Sequence, residues 1–125
     1  MAFPRQKNYR RIPSATSFAR VVEVATQAEA DIALREPKVI AVVENPSLRK
    51  WVKFFCPCGC REVIALNLMR HIHPCWRIRF DRRGRISVWP SVWRLNGCRS
   101  HFFLTANEVR FIERYGISTK WSLTR

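Results

Sequence analysis

Apolar and polar positions change period several times along this chain, and each change marks an element. Phe18 to Val24 (Phe-Ala-Arg-Val-Val-Glu-Val) is rich in β-branched residues and predicts a strand. Thr26 followed three residues later by Glu29 has the spacing of a capping box, so a short helix is expected from Gln27 to about Arg35, where Pro37 ends it. Val39 to Val43 is a continuous apolar run, the pattern of a buried strand. Asn45-Pro46-Ser47 is a turn, and Lys50 to Phe55 forms the next strand. Glu62 to Leu68 reads as a strand through Val63, Ile64 and Leu66, with a short helix toward Met69 as the alternative. Trp76-Arg77-Ile78-Arg79-Phe80 and Arg85-Ile86-Ser87-Val88-Trp89 alternate on either side of an Asp81 to Gly84 turn, a strong hairpin signal. Ser100 to Leu104, a turn at Ala106-Asn107, and Val109 to Ile112 suggest a second hairpin.

These elements predict an α+β fold: a small, mainly antiparallel sheet with one early helix. At 125 residues the chain has the length of one domain, expected over residues 17–125. Residues 1–16 contain Pro4, Pro13 and basic residues without a period, the composition of a flexible basic arm. No apolar run reaches the roughly 18 residues of a membrane span, and no apolar signal region follows Arg5 and Lys7, so a cytoplasmic protein is expected.

Charge narrows the choice of partner. The formal net charge is +14, from 23 Lys plus Arg against 9 Asp plus Glu. Such a surface attracts nucleic-acid phosphates or an acidic protein. Arg77, Arg79, Arg82, Arg83 and Arg85 crowd one hairpin, and Trp76, Trp89 and Trp93 lie among or near them. A nucleic-acid-binding module with stacking tryptophans is therefore one reading; core packing is the plainer role for those rings.

Cysteine spacing changes the picture further. Cys56-Pro57-Cys58-Gly59-Cys60 places three thiols in five residues around two turn formers, and Cys98 supplies a fourth. In a reducing compartment this pattern points to a tetrahedral metal site, with zinc as the expected ion. Four thiolates close the coordination shell and leave no position for a reactive water, so the zinc is expected to be structural. His71 and His73 are rival ligands beside Pro74, and Cys75 is left as a core residue. Strand alternation then separates Ser100 from His101: if Cys98 turns toward the metal, Ser100 shares that face and His101 looks the other way, toward the strand end that carries Ser91. A histidine beside a serine hydroxyl can take its proton and activate it, although serines and histidines occur in every protein.

The run from Cys56 to Arg110 resembles a small peptidase family encoded in bacterial ubiquitination-like (Bub) operons, formerly a domain family of unknown function. The resemblance rests on the cysteine turn, the Trp76 to Phe80 strand with its Asp81 turn, Val88-Trp89-Pro90-Ser91-Val92, Cys98-Arg99-Ser100-His101-Phe102-Phe103, and Asn107-Glu108-Val109, in that order. It implies a serine peptidase with a serine-histidine dyad that processes or removes a ubiquitin-like protein, beside operon-encoded E1-like and E2-like proteins, in antiphage defence. Carried onto this chain, it suggests Ser91 as nucleophile, the serine being chosen by strand geometry, His101 as general base and then acid, and Cys56, Cys58, Cys60 and Cys98 as zinc ligands. Arg61 stands where a glycine often follows the cysteine turn, Leu68 to Pro74 is enlarged, and Asn96-Gly97 precedes Cys98 in place of a more proline-like approach. Residues 1–50 carry no motif that the resemblance explains. Oxyanion donors are expected among the backbone N–H groups of Ser91 to Trp93 or of the Asn96-Gly97 turn. Asp81, Glu108 and Glu113 are the nearby acids in sequence, none obviously placed to orient His101, so a dyad is the more economical expectation. The competing readings are the nucleic-acid-binding zinc module and an adaptor that bridges conjugation proteins without cutting them.

Overall fold

A computed structural model describes residues 15–112. In chain order the elements are β1 (Ala15–Ser17), β2 (Arg20–Val24), α1 (Gln27–Ala33), β3 (Val39–Asn45), β4 (Leu48–Phe55), β5 (Val63–Asn67), β6 (Arg77–Phe80), β7 (Ile86–Trp93), β8 (His101–Thr105) and β9 (Glu108–Phe111). The segment from Glu62 that admitted two readings is the strand β5, and most of the expected arm lies outside the described residues. Ala15 and Thr16, its last residues, pair with Arg110 and Val109.

Two sheets replace the single one expected. A five-stranded sheet runs β1-β9-β8-β7-β6, and a four-stranded sheet runs β2-β3-β4-β5. The antiparallel expectation also needs correction at one pair, because β2 and β3 run parallel, from Arg20 opposite Val39 to Val24 opposite Val43. The reason is α1. A helix between two neighbouring strands returns the chain to the same end of the sheet, which makes the strands parallel.

Burial follows this topology. The inner faces of the two sheets close on one core that includes Ile40, Val42, Val52, Phe54 and Leu66 from one side and Ile86, Val88, Phe102, Leu104 and Val109 from the other. Ala30 and Leu34 of the helical segment bury the opposite face of the four-stranded sheet against Val39, Ala41 and Val43. Val39 to Val43 is thus covered on both faces, which is why it reads as unbroken apolar sequence. The helix starts where its capping box predicts: Thr26 Oγ1 accepts the Glu29 N–H at 3.1 Å, and Glu29 reaches back to the N–H of Ala25 at 2.8 Å. Lys53 pins the helix to the sheet by donating to Gln27 and Asp31. Among the described residues no helix is long and apolar enough to cross a membrane.

Asn107 joins elements that a tight turn alone would leave apart. Its φ is 67°, in the left-handed region that asparagine tolerates, and its Oδ1 accepts the buried N–H of Ile86 at 2.8 Å. Its own N–H bonds Ile86 O at 2.9 Å, and its carbonyl accepts the Phe18 N–H at 2.7 Å. Asn107→Ala leaves a buried donor unpaired at a strained backbone position, and a loss of about 2–3 kcal/mol is expected in urea unfolding.

Candidate active site and metal centre

The cysteine turn hangs from the end of β4, and Cys98 lies in the connection from β7 to β8, so the four thiols meet where the two sheets come together. Their sulfurs lie within 4.8 Å of one another, and Cys56 Sγ is 3.7 Å from Cys98 Sγ. Zinc–sulfur bonds of about 2.3 Å in a tetrahedron give sulfur–sulfur edges of about 3.8 Å, so this donor set fits a metal ion. The alternate spacing has a local explanation. Cys56 accepts the N–H of Cys58, Cys58 that of Cys60, and Cys60 that of Glu62, each two residues further on. Pro57 lacks an N–H but falls between donors, and Gly59 takes a φ of 93° to keep the turn closing.

The thiols already share a proton unequally. The Cys58 thiol is pushed down to about 4, first by its hydrogen bond with Cys56, with Ser100 and Cys60 assisting against burial. Cys56 is pushed up by the same bond and by burial, and Cys60 is raised chiefly by burial. Ser100, itself buried, meets Cys98 Sγ at 3.3 Å. Its hydroxyl faces the sulfurs, and the next residue along β8 faces away.

That next residue is His101, and its Nε2 lies 2.9 Å from Ser91 Oγ. A fault in the ladder creates the meeting. Val88 pairs with Leu104 but Val92 pairs with Phe102, so β7 carries two more residues than β8 over this stretch. The bulge slides Trp93 directly opposite His101 and leaves Ser91 on the diagonal, while Val92 still points into the core. Trp93 and His101 stack with ring centroids 5.0 Å apart and planes within 15°. The Trp76 indole donates to Ser91 O at 3.3 Å, bracing the bulge from the other side. Both Ser91 and His101 are buried, at 4% and 6% exposure, where a hydroxyl-imidazole bond is stronger than in water.

Several of these supports were not visible as motifs. Asn67 organises the enlarged 68–75 segment by donating Nδ2 to the carbonyls of Met69, Ile72 and Pro74, and its carbonyl accepts the Trp76 N–H at 2.8 Å. The segment thereby delivers Trp76 to Ser91. His71 and His73 are exposed and stand outside the thiol cluster, as does the half-buried Cys75. Asp81 spends its oxygens on its own turn, accepting from Arg83 N–H and Arg85, and the Arg85 N–H above all holds its carboxyl below the usual range. Glu108 is exposed on β9, and Glu113 lies outside the described residues. The Asn96-Gly97 turn packs against Glu62.

A protein-family model described as bacterial ubiquitination-like system serine protease (BubE) matches residues 25–112, well over half of the chain. The chain belongs to the BubE family. No curated protein and no solved structure matches it. The BubE match begins just before the helix cap, so it takes in α1 and β3, where the sequence offered no motif, but not β2, and it ends one residue after β9. A BubE protein is by that description a serine protease of a bacterial ubiquitination-like system.

Proposed function

We propose that this BubE-family chain is a serine peptidase in which Ser91 is the nucleophile and His101 the proton carrier, acting on the C-terminal region of a bacterial ubiquitin-like protein. One observation carries the reading: a serine hydroxyl lies 2.9 Å from an imidazole nitrogen, buried, in a strand bulge whose backbone is braced on both sides. Bulges that re-aim a side chain are common beside active sites. In the proposed reaction Ser91 Oγ attacks the scissile carbonyl as its proton passes to His101 Nε2. The imidazolium then protonates the leaving group, an acyl ester remains on Ser91, and water attacks that ester with His101 again as base. Trp93 restricts the ring plane by stacking on it.

Zinc is the proposed occupant of Cys56, Cys58, Cys60 and Cys98, in a structural role: when bound it supplies a cross-link between the sheets. The thiols stand on the β4–β5 and β7–β8 connections, so the link fixes the start of β8, where His101 begins the strand. β6 is an edge strand beside β7, suited to adding an extended tail by backbone pairing. Arg77 and Trp89 face each other across those strands, both exposed, and would meet an acidic partner body first. The same pair suits nucleic acid, the second reading; strongly salt-dependent binding that is lost on replacing Arg77 and Arg79, with no proteolysis, would favour it. The proposed setting is the cytoplasm, beside E1-like and E2-like proteins in antiphage defence.

The test is incubation of the purified protein with the ubiquitin-like precursor encoded beside it, followed by intact mass spectrometry. A truncated precursor with a single new C-terminus is expected. An unchanged mass after prolonged incubation would turn the assignment toward an adaptor.

A further inference from the structure

Arg94 has no part in the proposed reaction, yet its setting demands an account. It follows Trp93 directly, and its side chain is only 19% exposed. Nη2 donates to Glu62 Oε1 at 2.7 Å, whereas Nη1 is buried without a hydrogen-bond partner among the described residues. A buried guanidinium donor with no acceptor is costly and rare, and such a group calls for an explanation.

The explanation lies in the sulfurs beside it. The guanidinium interacts with Cys56 and Cys98 as well as with Glu62. A thiol is a weak acceptor, but a thiolate is a charged and far better one. Four thiolates around a divalent ion leave the centre with two excess negative charges, in a partly desolvated place where a fixed cation matters.

We propose that Arg94 is the charge partner of the cysteine centre: with a metal ion bound, its Nη1 donates to the Cys56 thiolate and its guanidinium offsets part of the excess charge. The proposal rests on the metal reading above. Two features suit Arg94 to this role. Glu62, which holds it, also gives its backbone carbonyl to the Cys56 N–H at 2.8 Å and its N–H to Cys60, so the pair is built into the cysteine turn. A Cβ on Gly97 would come within 3.0 Å of Glu62 Oε1, so glycine there leaves the Glu62–Arg94 pair undisturbed. The consequence reaches the nucleophile strand. Arg94 N–H bonds Ser100 O at 2.8 Å, and through Arg94 the metal would hold the end of β7 as well as the start of β8.

The test compares the full chain with Arg94→Met and Arg94→Lys, each in zinc-bound and metal-free form. Zinc affinity is measured by chelator competition and stability by thermal unfolding. Arg94→Met is expected to weaken zinc binding about tenfold or more, the usual scale for losing a hydrogen bond to a metal ligand, and to lower the melting point of the zinc-bound form alone. The metal-free variant should melt close to the metal-free parent, because removing the buried unpaired donor offsets the loss of the pair with the half-exposed Glu62. Arg94→Lys should recover part of the affinity through its charge. Zinc affinity of Arg94→Met within about twofold of the parent would overturn the proposal, and so would an equal fall in both melting points, which marks plain packing. If Arg94→Met does not fold, the same affinity comparison on Arg94→Lys decides: affinity equal to the parent's excludes the geometry-dependent donor, and a weakening supports it. A parent chain that takes up no zinc removes the metal reading itself, whereas zinc uptake indifferent to Arg94 removes only this inference.

Discussion

Ser91→Ala is expected to abolish cleavage of the ubiquitin-like precursor while leaving the fold and metal content intact. The two effects differ in scale. Removing the hydroxyl takes one hydrogen bond from the buried imidazole, a cost of about 1–3 kcal/mol against the roughly 5–15 kcal/mol of a typical domain. Removing a nucleophile costs on the order of 10⁴-fold or more in turnover, because nothing else in the site can form the acyl ester. His101→Ala should be nearly as severe, and the double variant little worse than either single one, since the two groups act as a unit. Ser100→Ala is the informative control. Its hydroxyl lies against Cys98 Sγ at 3.3 Å, so its loss should disturb the thiols and spare most of the activity. Precursor cleavage followed by mass spectrometry checks all four variants together.

Removing the metal is expected to have the second large effect. An ion that binds the folded chain and not the unfolded one stabilises by about 4 kcal/mol when present at about a thousand times its dissociation constant. For a domain of this size that corresponds to a fall in melting temperature of about 15–30 °C on treatment with a strong chelator. Cys98→Ser should reproduce most of the fall. Cys98 is the one thiol of the four contributed by the five-stranded sheet, and without it the cluster no longer spans the two sheets. Cleavage should fall with it, because the strand that begins at His101 loses its anchor three residues upstream. Equal melting of zinc-loaded and chelated protein would show that the sheets hold without the metal.

The sequence displayed the elements better than their arrangement. Capping by Thr26 and Glu29, the Asp81 hairpin and the Asn107 turn are local chemistry, written in residues next to one another. Division into two sheets is not local. The chain changes sheet between β1 and β2 and again between β5 and β6, and the run Val39 to Val43 carried a trace of the layering, as burial on both faces. The candidate site was legible to the same depth. Alternation from Cys98 separates Ser100 from His101, but the bulge that places Trp93 opposite His101 depends on pairing between β7 and β8 and extends β7 to Trp93, beyond the strand end expected at Trp89. Arg94, Glu62, Asn67 and the Trp76 indole act through contacts across the fold, so no spacing announced them.

The proposed reaction depends on Ser91 being a nucleophile activated by His101. Its most direct test is labelling with a fluorophosphonate, which modifies serines only when they are activated, followed by peptide mass spectrometry. One adduct is expected, on Ser91, and none in His101→Ala. An adduct on Ser100, or labelling of Ser91 that persists unchanged without His101, would contradict it.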